Sequence, residues 1–321
     1  MVDETLHDNM RIRSLMLAAL ITLSSLSVVI ANDTVTTQDV DLSGNHTMTG
    51  NYTVSHGTTL TIKPGTTIDM QDYWMKVEGT LIANNATIMS SIQTTGPGSH
   101  NAGVWDALTI SPIGTATLDN VTISNAKSCI IVDGTLNAKS LTIEDCLIGI
   151  EVDGSAIIDD ASISHVDHDG IRSTGSLDIS MAIIDDVSGG IHSSGDLILS
   201  DATFSNAGVG IALTGGTADV EELEFTTGVG NALTISSGVT GDVEGMEGEA
   251  TNAVVSVDST GFAISNIDMS GERLVNSWSA GDLTISDSSF FADSPETPID
   301  LRTSGTVTLS NITVTGQFSS G

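Results

Sequence analysis

Apolar residues recur at fixed intervals in the central part of the chain, between residues 114 and 216. Counted from the glycine that opens each segment, positions 2, 4, 7, 9 and 12 are apolar in all five segments. Ser, Thr, Asp, Asn and Gly fill most of the positions between them. The opening glycines are 20 or 21 residues apart, and they are Gly114, Gly134, Gly154, Gly175 and Gly195, with Gly216 opening a sixth segment.

This spacing predicts three short strands in each segment. Residues two apart on a strand face the same side, so positions 2 and 4, positions 7 and 9, and the isoleucine near the segment end with the residue two after it each form one inward face. A segment of this length cannot bury its apolar face alone, and its repetition indicates stacked units. We therefore predict an all-β fold, a single right-handed parallel β-helix with turns of about 20–24 residues.

The main alternative at this period is a leucine-rich repeat. That fold requires a fixed Asn or Cys after the strand and a helical side to each unit. No Asn or Cys recurs at one position in these segments, and none of them has an apolar period of 3.6 residues. The pattern favours the β-helix.

One run near the start resembles a known superfamily. Residues 60–68 read LTIKPGTTI, and this run resembles the opening turns of secreted right-handed β-helix proteins of the pectin-lyase-like superfamily. The later segments are similar to that superfamily's generic parallel β-helix repeats, so the resemblance extends over about residues 40–321. It implies the fold but no single activity, because the superfamily includes lyases, hydrolases, epimerases, adhesins and surface proteins.

The first 31 residues have the pattern of a signal peptide. Arg11 and Arg13 precede an apolar stretch at residues 14–30, and small residues at Val29 and Ala31 suit cleavage before Asn32. An uncleaved membrane anchor is the alternative. We expect residues 1–31 to be an extension with a signal peptide and residues 32–321 to be a secreted or cell-surface β-helix.

The repeat is less regular outside its central part. Residues 92–106 exceed the period and are predicted to form a loop that contains His100 and Trp105. After Gly216 the opening glycines are 20 to 24 residues apart, and the acidic run at 241–250 predicts an irregular turn. The chain ends part-way through a turn, so we expect a C-terminus that is truncated or uncapped.

The charge balance excludes some partners. The chain has 9 Lys and Arg against 41 Asp and Glu, a formal net charge of −32. Binding to nucleic acid or to an anionic membrane needs clustered basic residues, so we expect neither, and a membrane contact only through an uncleaved N-terminal segment. Such acidity suits a hydrated surface, a salty medium or bound divalent cations.

The interpretation of the cysteines and of the glycosylation sequons depends on whether the chain is exported. Cys129 and Cys146 belong to neighbouring turns. The sequence is compatible with a disulfide between them and equally with two small buried thiols. Asn-x-Ser/Thr sequons matter only if the organism glycosylates exported asparagine. They lie at Asn32, Asn45, Asn51, Asn85, Asn120 and Asn311.

The segment that opens at Gly154 has one extra residue, and ionisable side chains gather there. Arg172 is expected to face outward, with a carboxylate one turn below it and a histidine one turn above. In polysaccharide lyases of the resembled superfamily, acidic Ca²⁺ ligands combine with a basic residue that abstracts a proton. Ordinary surface ion pairs and turn residues are the alternative. The candidate catalytic residues are Glu151, Asp167, His168, Asp169, Arg172 and His192.

A second cluster lies at positions 10 and 11 of successive segments. Stacked carboxylates there are candidate ligands for Ca²⁺, the one cofactor that the sequence suggests, and a polar ladder on a solvated bend is the alternative. The nonapeptide motif of calcium-binding β-rolls is absent. The candidate ligands are Glu144, Asp145, Asp185 and Asp186.

The sequence favours a structural, adhesive or binding role, with a glycan or a cell-surface protein as the partner. A carbohydrate-active enzyme, a lyase or an epimerase that acts on acidic glycans, is the alternative. Few aromatic side chains are present to stack on sugar rings, and the obvious candidates are Tyr52, Tyr73, Trp74, Trp105 and Trp278. The Gly-His-Gly and Arg-Ile-Lys motifs expected of a polygalacturonase-like hydrolase are absent.

Overall fold

The three-dimensional description comes from a computed structural model. It describes residues 28–31, 33–92, 103–258, 261–277, 282–294, 299–302 and 304–316, with the backbone alone for 28–31.

The protein is a parallel β-solenoid of about 12 turns, and 75% of the described residues are in strands. The described residues contain no helix, and therefore none that could span a membrane. All strands belong to one parallel system in which each turn hydrogen-bonds to the turns before and after it. The predicted β-helical fold is confirmed. The strands are β1 Val28–Ala31, β2 Thr34–Val35, β3 Val40–Leu42, β4 Asn45–Thr49, β5 Tyr52–Val54, β6 Thr59–Ile62, β7 Thr67–Asp69, β8 Met75–Val77, β9 Thr80–Met89, β10 Leu108–Ile110, β11 Thr115–Ser124, β12 Ser128–Val132, β13 Thr135–Cys146, β14 Ile148–Val152, β15 Ser155–Ser173, β16 Ser176–Ser193, β17 Asp196–Leu213, β18 Thr217–Phe225, β19 Asn231–Ile235, β20 Thr240–Val257, β21 Phe262–Ser277, β22 Leu283–Ala292, β23 Ile299–Leu301 and β24 Val307–Gly316.

The apolar columns of the sequence form the core. Ile123 pairs with Ile143, which pairs with Ile163, and the next two turns continue this column with Ile184 and Phe204. All five side chains are fully buried. Because equivalent residues stack at the inter-strand distance, each apolar side chain packs on its own counterpart in the next turn.

The opening glycines are required by the close approach of successive turns. A Cβ at Gly154 would collide with the carbonyl oxygen of Gly134, and one at Gly175 would collide with that of Gly154. The same is true of Gly195 and the carbonyl of Gly175. The glycine period in the sequence therefore reports a steric contact between turns.

The bends are columns of residues in the left-handed backbone conformation. Two such columns run up the stack, and Asn and Asp dominate them because they tolerate positive φ better than most side chains. Asp160 and Asp186, each the second residue of an Asp-Asp pair, lie at these bends with φ of 63° and 53°. None of the described non-glycine side chains at these bends is buried, so the bends build ladders of mostly polar side chains on the surface.

Two sequence predictions about irregular regions are wrong where the structure describes those residues; residues 93–102 of the predicted loop lie outside the described residues. Residues 103–106 are part of the stack, because Trp105 forms a parallel bridge with Ala126 and is fully buried. The acidic run at 241–250 keeps regular parallel pairing with β18 and β21, and the register shifts only after Ala250. Three glycines with positive φ, Gly241, Gly245 and Gly248, let the chain keep that pairing.

Some predictions concern residues that the structure does not describe. Residues 1–27, Asn32, His100, Trp278 and residues 317–321 lie outside the described residues, and so does the predicted cleavage point. β1 pairs in parallel with β4, with Val28 opposite His46. The signal peptide and the truncated or uncapped C-terminus therefore stay predictions.

Candidate functional site

The predicted outward ladder is present in the strand register. Glu151 of β14 pairs with Arg172 of β15, and Arg172 pairs with His192 of β16. These three side chains lie on the outer face of the solenoid and are half-buried or exposed. Glu151, Arg172 and His192 are therefore neighbours, as the sequence period predicts. Their possible chemistry depends on the contacts that each side chain makes.

The extra residue in this turn is a β-bulge. The pairing between β15 and β16 shifts between Val166 and Asp169, after which Asp169 lies opposite Gly189. A bulge re-aims the side chains beside it. Here the Asp169 carboxylate lies next to Gly189, where a Cβ would come within 2.5 Å of Asp169 Oδ1.

Asp169 neutralises Arg172. Its Oδ2 accepts hydrogen bonds from Arg172 Nε at 3.0 Å and from Nη2 at 2.8 Å, and the Asp169 side chain is only 17% exposed. Both donors therefore bind one carboxylate of the same strand. Arg172 therefore directs its Nε and Nη2 donors at its own strand, as in an ordinary surface ion pair.

The remaining members of the predicted catalytic set make separate contacts. His192 Nδ1 is 4.0 Å from Asp169 Oδ2, and its Nε2 is 3.4 Å from Thr214 Oγ1. Glu151 accepts a hydrogen bond from Ser128 Oγ. His168 is exposed on the bulge, next to Asp167, whose backbone carbonyl accepts from the hydroxyl of Ser188. The cluster is therefore a set of local polar pairs centred on Asp169, with Glu151 bound elsewhere.

Most of the aromatic residues suggested for sugar stacking are not available as open faces. Trp105 and Tyr52 are buried in the core, and burial raises the pKa of Tyr52. Tyr73 and Trp74 are half-buried near the N-terminal turns, several turns from Arg172. Among the described residues, none of these rings lies on the turns that carry the predicted catalytic cluster.

The predicted calcium ligands form a polar ladder. Asp185 Oδ1 accepts hydrogen bonds from Ser205 Oγ at 2.5 Å and from Asn206 Nδ2 at 2.9 Å. Asp186 Oδ2 is 3.9 Å from His165 Nε2. Glu144 lies opposite Ser164, and Asp145 occupies the left-handed bend one turn below His165. Within the described ranges, no group of three or more His, Cys, Asp or Glu side chains is arranged to hold a metal ion.

The ladder at Asp185 predicts a pH-dependent contribution to stability. Hydrogen bonds from Ser205 and then Asn206 lower the pKa of Asp185 below its ordinary value of 3.8. The charged form is thus favoured by folding, so this stabilisation is complete above the ordinary pKa and is lost as the pH falls through the lower folded value. We expect Asp185→Asn to lower Tm by about 1–2 °C at neutral pH, and the difference from wild type to shrink towards low pH.

Thermal unfolding followed by circular dichroism across the acid range measures this effect. Asp178→Asn, on the same strand but away from Ser205 and Asn206, controls for the loss of one negative charge. A Tm difference for Asp185→Asn that stays constant down to low pH would contradict the assignment.

The sequons mostly coincide with these ladders. Asn120 Nδ2 donates to Asn85 Oδ1 at 2.5 Å, and Asn311 Nδ2 donates to Asp287 Oδ1 at 2.9 Å. Asn51 Oδ1 accepts from the backbone amide of Trp74, whereas Asn45 is exposed. These amides have structural partners, and their use as glycosylation sites stays a prediction.

The two cysteines form a disulfide. Cys129 of β12 and Cys146 of β13 are bonded, with their Cα atoms 6.0 Å apart, and both side chains are fully buried. Of the two interpretations that the sequence left open, the structure has the disulfide. It closes a loop of 17 residues through the interior of neighbouring turns.

Sequence analysis missed a strongly acidic part of the surface. A groove of about 450 Å³ lies on the outer face of β17, β18, β20 and β21, and we call it the acidic groove. Its polar lining consists of Asp201, Thr203, Glu222, Glu224, Glu247, Asn266 and Asp268. The signal was present in the sequence, because the outward-facing positions of these turns become rich in carboxylates, as at Glu222, Glu224, Glu247 and Asp268. It was overlooked because the glycine spacing loosens after Gly216.

Fold and surface define the class of this protein: a long parallel β-solenoid with an aliphatic core and an acidic, polar-laddered exterior. Comparison of the chain with models of protein families and with curated proteins gives no match.

Proposed function

We propose that the protein is an exported β-solenoid, secreted or held at the cell surface, with a structural, adhesive or binding role. The observation that carries the proposal is the pairing of Arg172 with Asp169. The most suggestive basic group on the surface is already bound by its own strand, as expected of a surface ladder.

The disulfide supports the exported location. Disulfides persist in oxidising compartments and are rare in the reducing cytosol. Cys129 and Cys146 are bonded in the core, and the chain begins with a signal-peptide pattern. The run at 60–68 further supports placing the chain with secreted proteins of the pectin-lyase-like superfamily.

The alternative is a carbohydrate-active enzyme, a lyase or an epimerase acting on acidic glycans. It rests on one observation, that His192 lies 4.0 Å from Asp169 on an accessible face beside Arg172. In that arrangement the carboxylate would orient the imidazole as a general base.

A polymer screen separates the two functions. We expect the full chain to leave uronate polymers intact with and without Ca²⁺, as measured by the absorbance of unsaturated products and by reducing-end release. Arg172→Ala is expected to change the free energy of unfolding by no more than about 1 kcal/mol, because exposed ion pairs contribute little. Arg273→Ala, an exposed arginine on β21, is the matched control.

Cleavage or epimerisation that is lost in Arg172→Ala or His192→Ala but kept in Arg273→Ala would replace the structural role with the enzymatic one. The location is tested separately by protease treatment of intact producing cells. Protection of the chain inside the cell would contradict export.

A further inference from the structure

The walls of the acidic groove are two columns of side chains that run along the solenoid axis. The first column occupies the left-handed bend and contains Met181, Asp201, Glu222, Gly245 and Asn266. The second lies on the adjacent strand in register and contains Ile183, Thr203, Glu224, Glu247 and Asp268. Gly245 has no side chain, so the first wall is open at its middle.

The carboxylates of this groove lie next to one another, and among the described residues no basic side chain lines the groove. Glu224, Glu247 and Asp268 are directly opposite on adjacent strands, about 4.8 Å apart, where like charges repel. Within the described part of the chain, no Lys, Arg or His forms an ion pair with these three residues. A hydrogen bond to Asp201 and its negative charge raise the pKa of Glu222. The groove therefore lacks positive charge.

Both ends of the groove carry exposed apolar side chains. Met181 and Ile183, one turn before Asp201 and Thr203, are 48% and 56% exposed. At the other end a second hollow of about 360 Å³ adjoins Glu247 and Asp268 and is lined by Phe291, which is 46% exposed. Large apolar side chains left in water beside a charged groove are typical of interaction surfaces.

We propose that the acidic groove binds an extended, basic segment of another polypeptide, with cationic side chains on the stacked carboxylates and apolar side chains on Met181 and Ile183. The distance from Ile183 to Asp268 spans four turn spacings, about 19 Å, which an extended chain of about six residues covers.

Charge complementarity selects this occupant. A second copy of the chain brings a formal net charge of −32 to an acidic surface, and nucleic acid is itself anionic. A free metal ion would neutralise carboxylates but would leave Met181, Ile183 and Phe291 in water. A basic peptide can contact both the carboxylates and the exposed apolar side chains. Arginine binds carboxylates through two donors, its stem packs on aliphatic groups and its plane stacks on aromatic rings.

This inference deepens the proposed binding role and rests on it, but it is tested without reference to location or catalysis. The probe is a synthetic blocked hexapeptide, Leu-Arg-Ser-Arg-Ser-Arg, titrated into the full chain by calorimetry at low and at physiological salt. The groove variant is Glu224→Gln/Glu247→Gln/Asp268→Asn. The matched control, Asp72→Asn/Asp119→Asn/Asp258→Asn, removes the same three charges from exposed positions elsewhere.

We expect the groove variant to weaken peptide binding about tenfold and the control variant to change it less than about twofold, since three exposed ion pairs together account for about that factor. Ile183→Thr introduces the residue type that Thr203 has one turn further along the column. This change is expected to weaken binding of the Leu-containing peptide but not of a peptide with Ser in place of Leu.

Three results would overturn the proposal. Equal weakening in the groove and control variants would show attraction to net charge alone. No peptide binding at low salt would remove the site while leaving the tests of export and catalysis unaffected. A concentration-dependent dimer in sedimentation that the groove variant abolishes would assign the surface to a second copy of the chain.

Discussion

Replacing Trp105 by alanine is expected to lower the free energy of unfolding by about 3–5 kcal/mol, the range for deleting a large buried aromatic side chain. The ring is fully buried, and its Nε1 donates to the carbonyl of Ser124 at 2.8 Å. The backbone of Trp105 also bridges to Ala126, and its carbonyl accepts from the amide of Lys127. The change would leave a cavity and an unpaired carbonyl in the turn that restarts the stack.

Hydrogen exchange of the backbone amides measures this loss best, because a solenoid can unfold turn by turn rather than in one step. We expect protection to fall most in β11 and β12, which flank Trp105, and least in β21 and β22. Trp74→Ala, at a half-buried indole, is the control and should have a smaller effect. A loss in Trp105→Ala below about 1 kcal/mol would mean that Trp105 is a surface residue, as the sugar-stacking interpretation requires.

The second large effect is expected from the disulfide. Cys129→Ala/Cys146→Ala should lower the free energy of unfolding by about 3 kcal/mol, because a crosslink over 17 residues removes about that much chain entropy from the unfolded state. Thermal unfolding of the oxidised wild type, the reduced wild type and the double variant measures the effect. The last two should melt together and below the first.

The thiols themselves provide a further check. In the folded, oxidised protein neither cysteine should react with iodoacetamide until a reductant and a denaturant are added. Ser91→Ala serves as a control for a small change that breaks an exposed hydrogen bond to Asp69 and leaves the disulfide intact. Alkylation of Cys129 and Cys146 in unreduced, denatured protein would contradict the bond and would weaken the argument for export.

Arg172 illustrates how far sequence reasoning reaches into the candidate site. Its outward direction and its neighbours Glu151 and His192 were predictable, because a constant period places equivalent residues side by side. Its actual partner, Asp169, was not, because the bulge sits within three residues of Arg172 and the sequence shows only that one residue is extra.

Trp105 and the acidic groove are two further features that the sequence alone could not place. Trp105 follows a stretch that does not match the period, so no column indicated whether it would face inward. Glu224, Glu247 and Asp268 belong to turns of unequal length, and only the hydrogen-bonded register shows that they are opposite one another.

The sequence by itself determined the parallel β-solenoid, its aliphatic columns and its glycine-bounded turns. These features are periodic, and a period of two along each strand combined with one of about 20 along the chain leaves few folds that bury every column. The tertiary structure alone decided the disulfide, the Asp169–Arg172 pair, the burial of Trp105 and the shape of the acidic groove. Each depends on a bulge, a bend or a shift in register, where one residue more or less moves a side chain to a different neighbour.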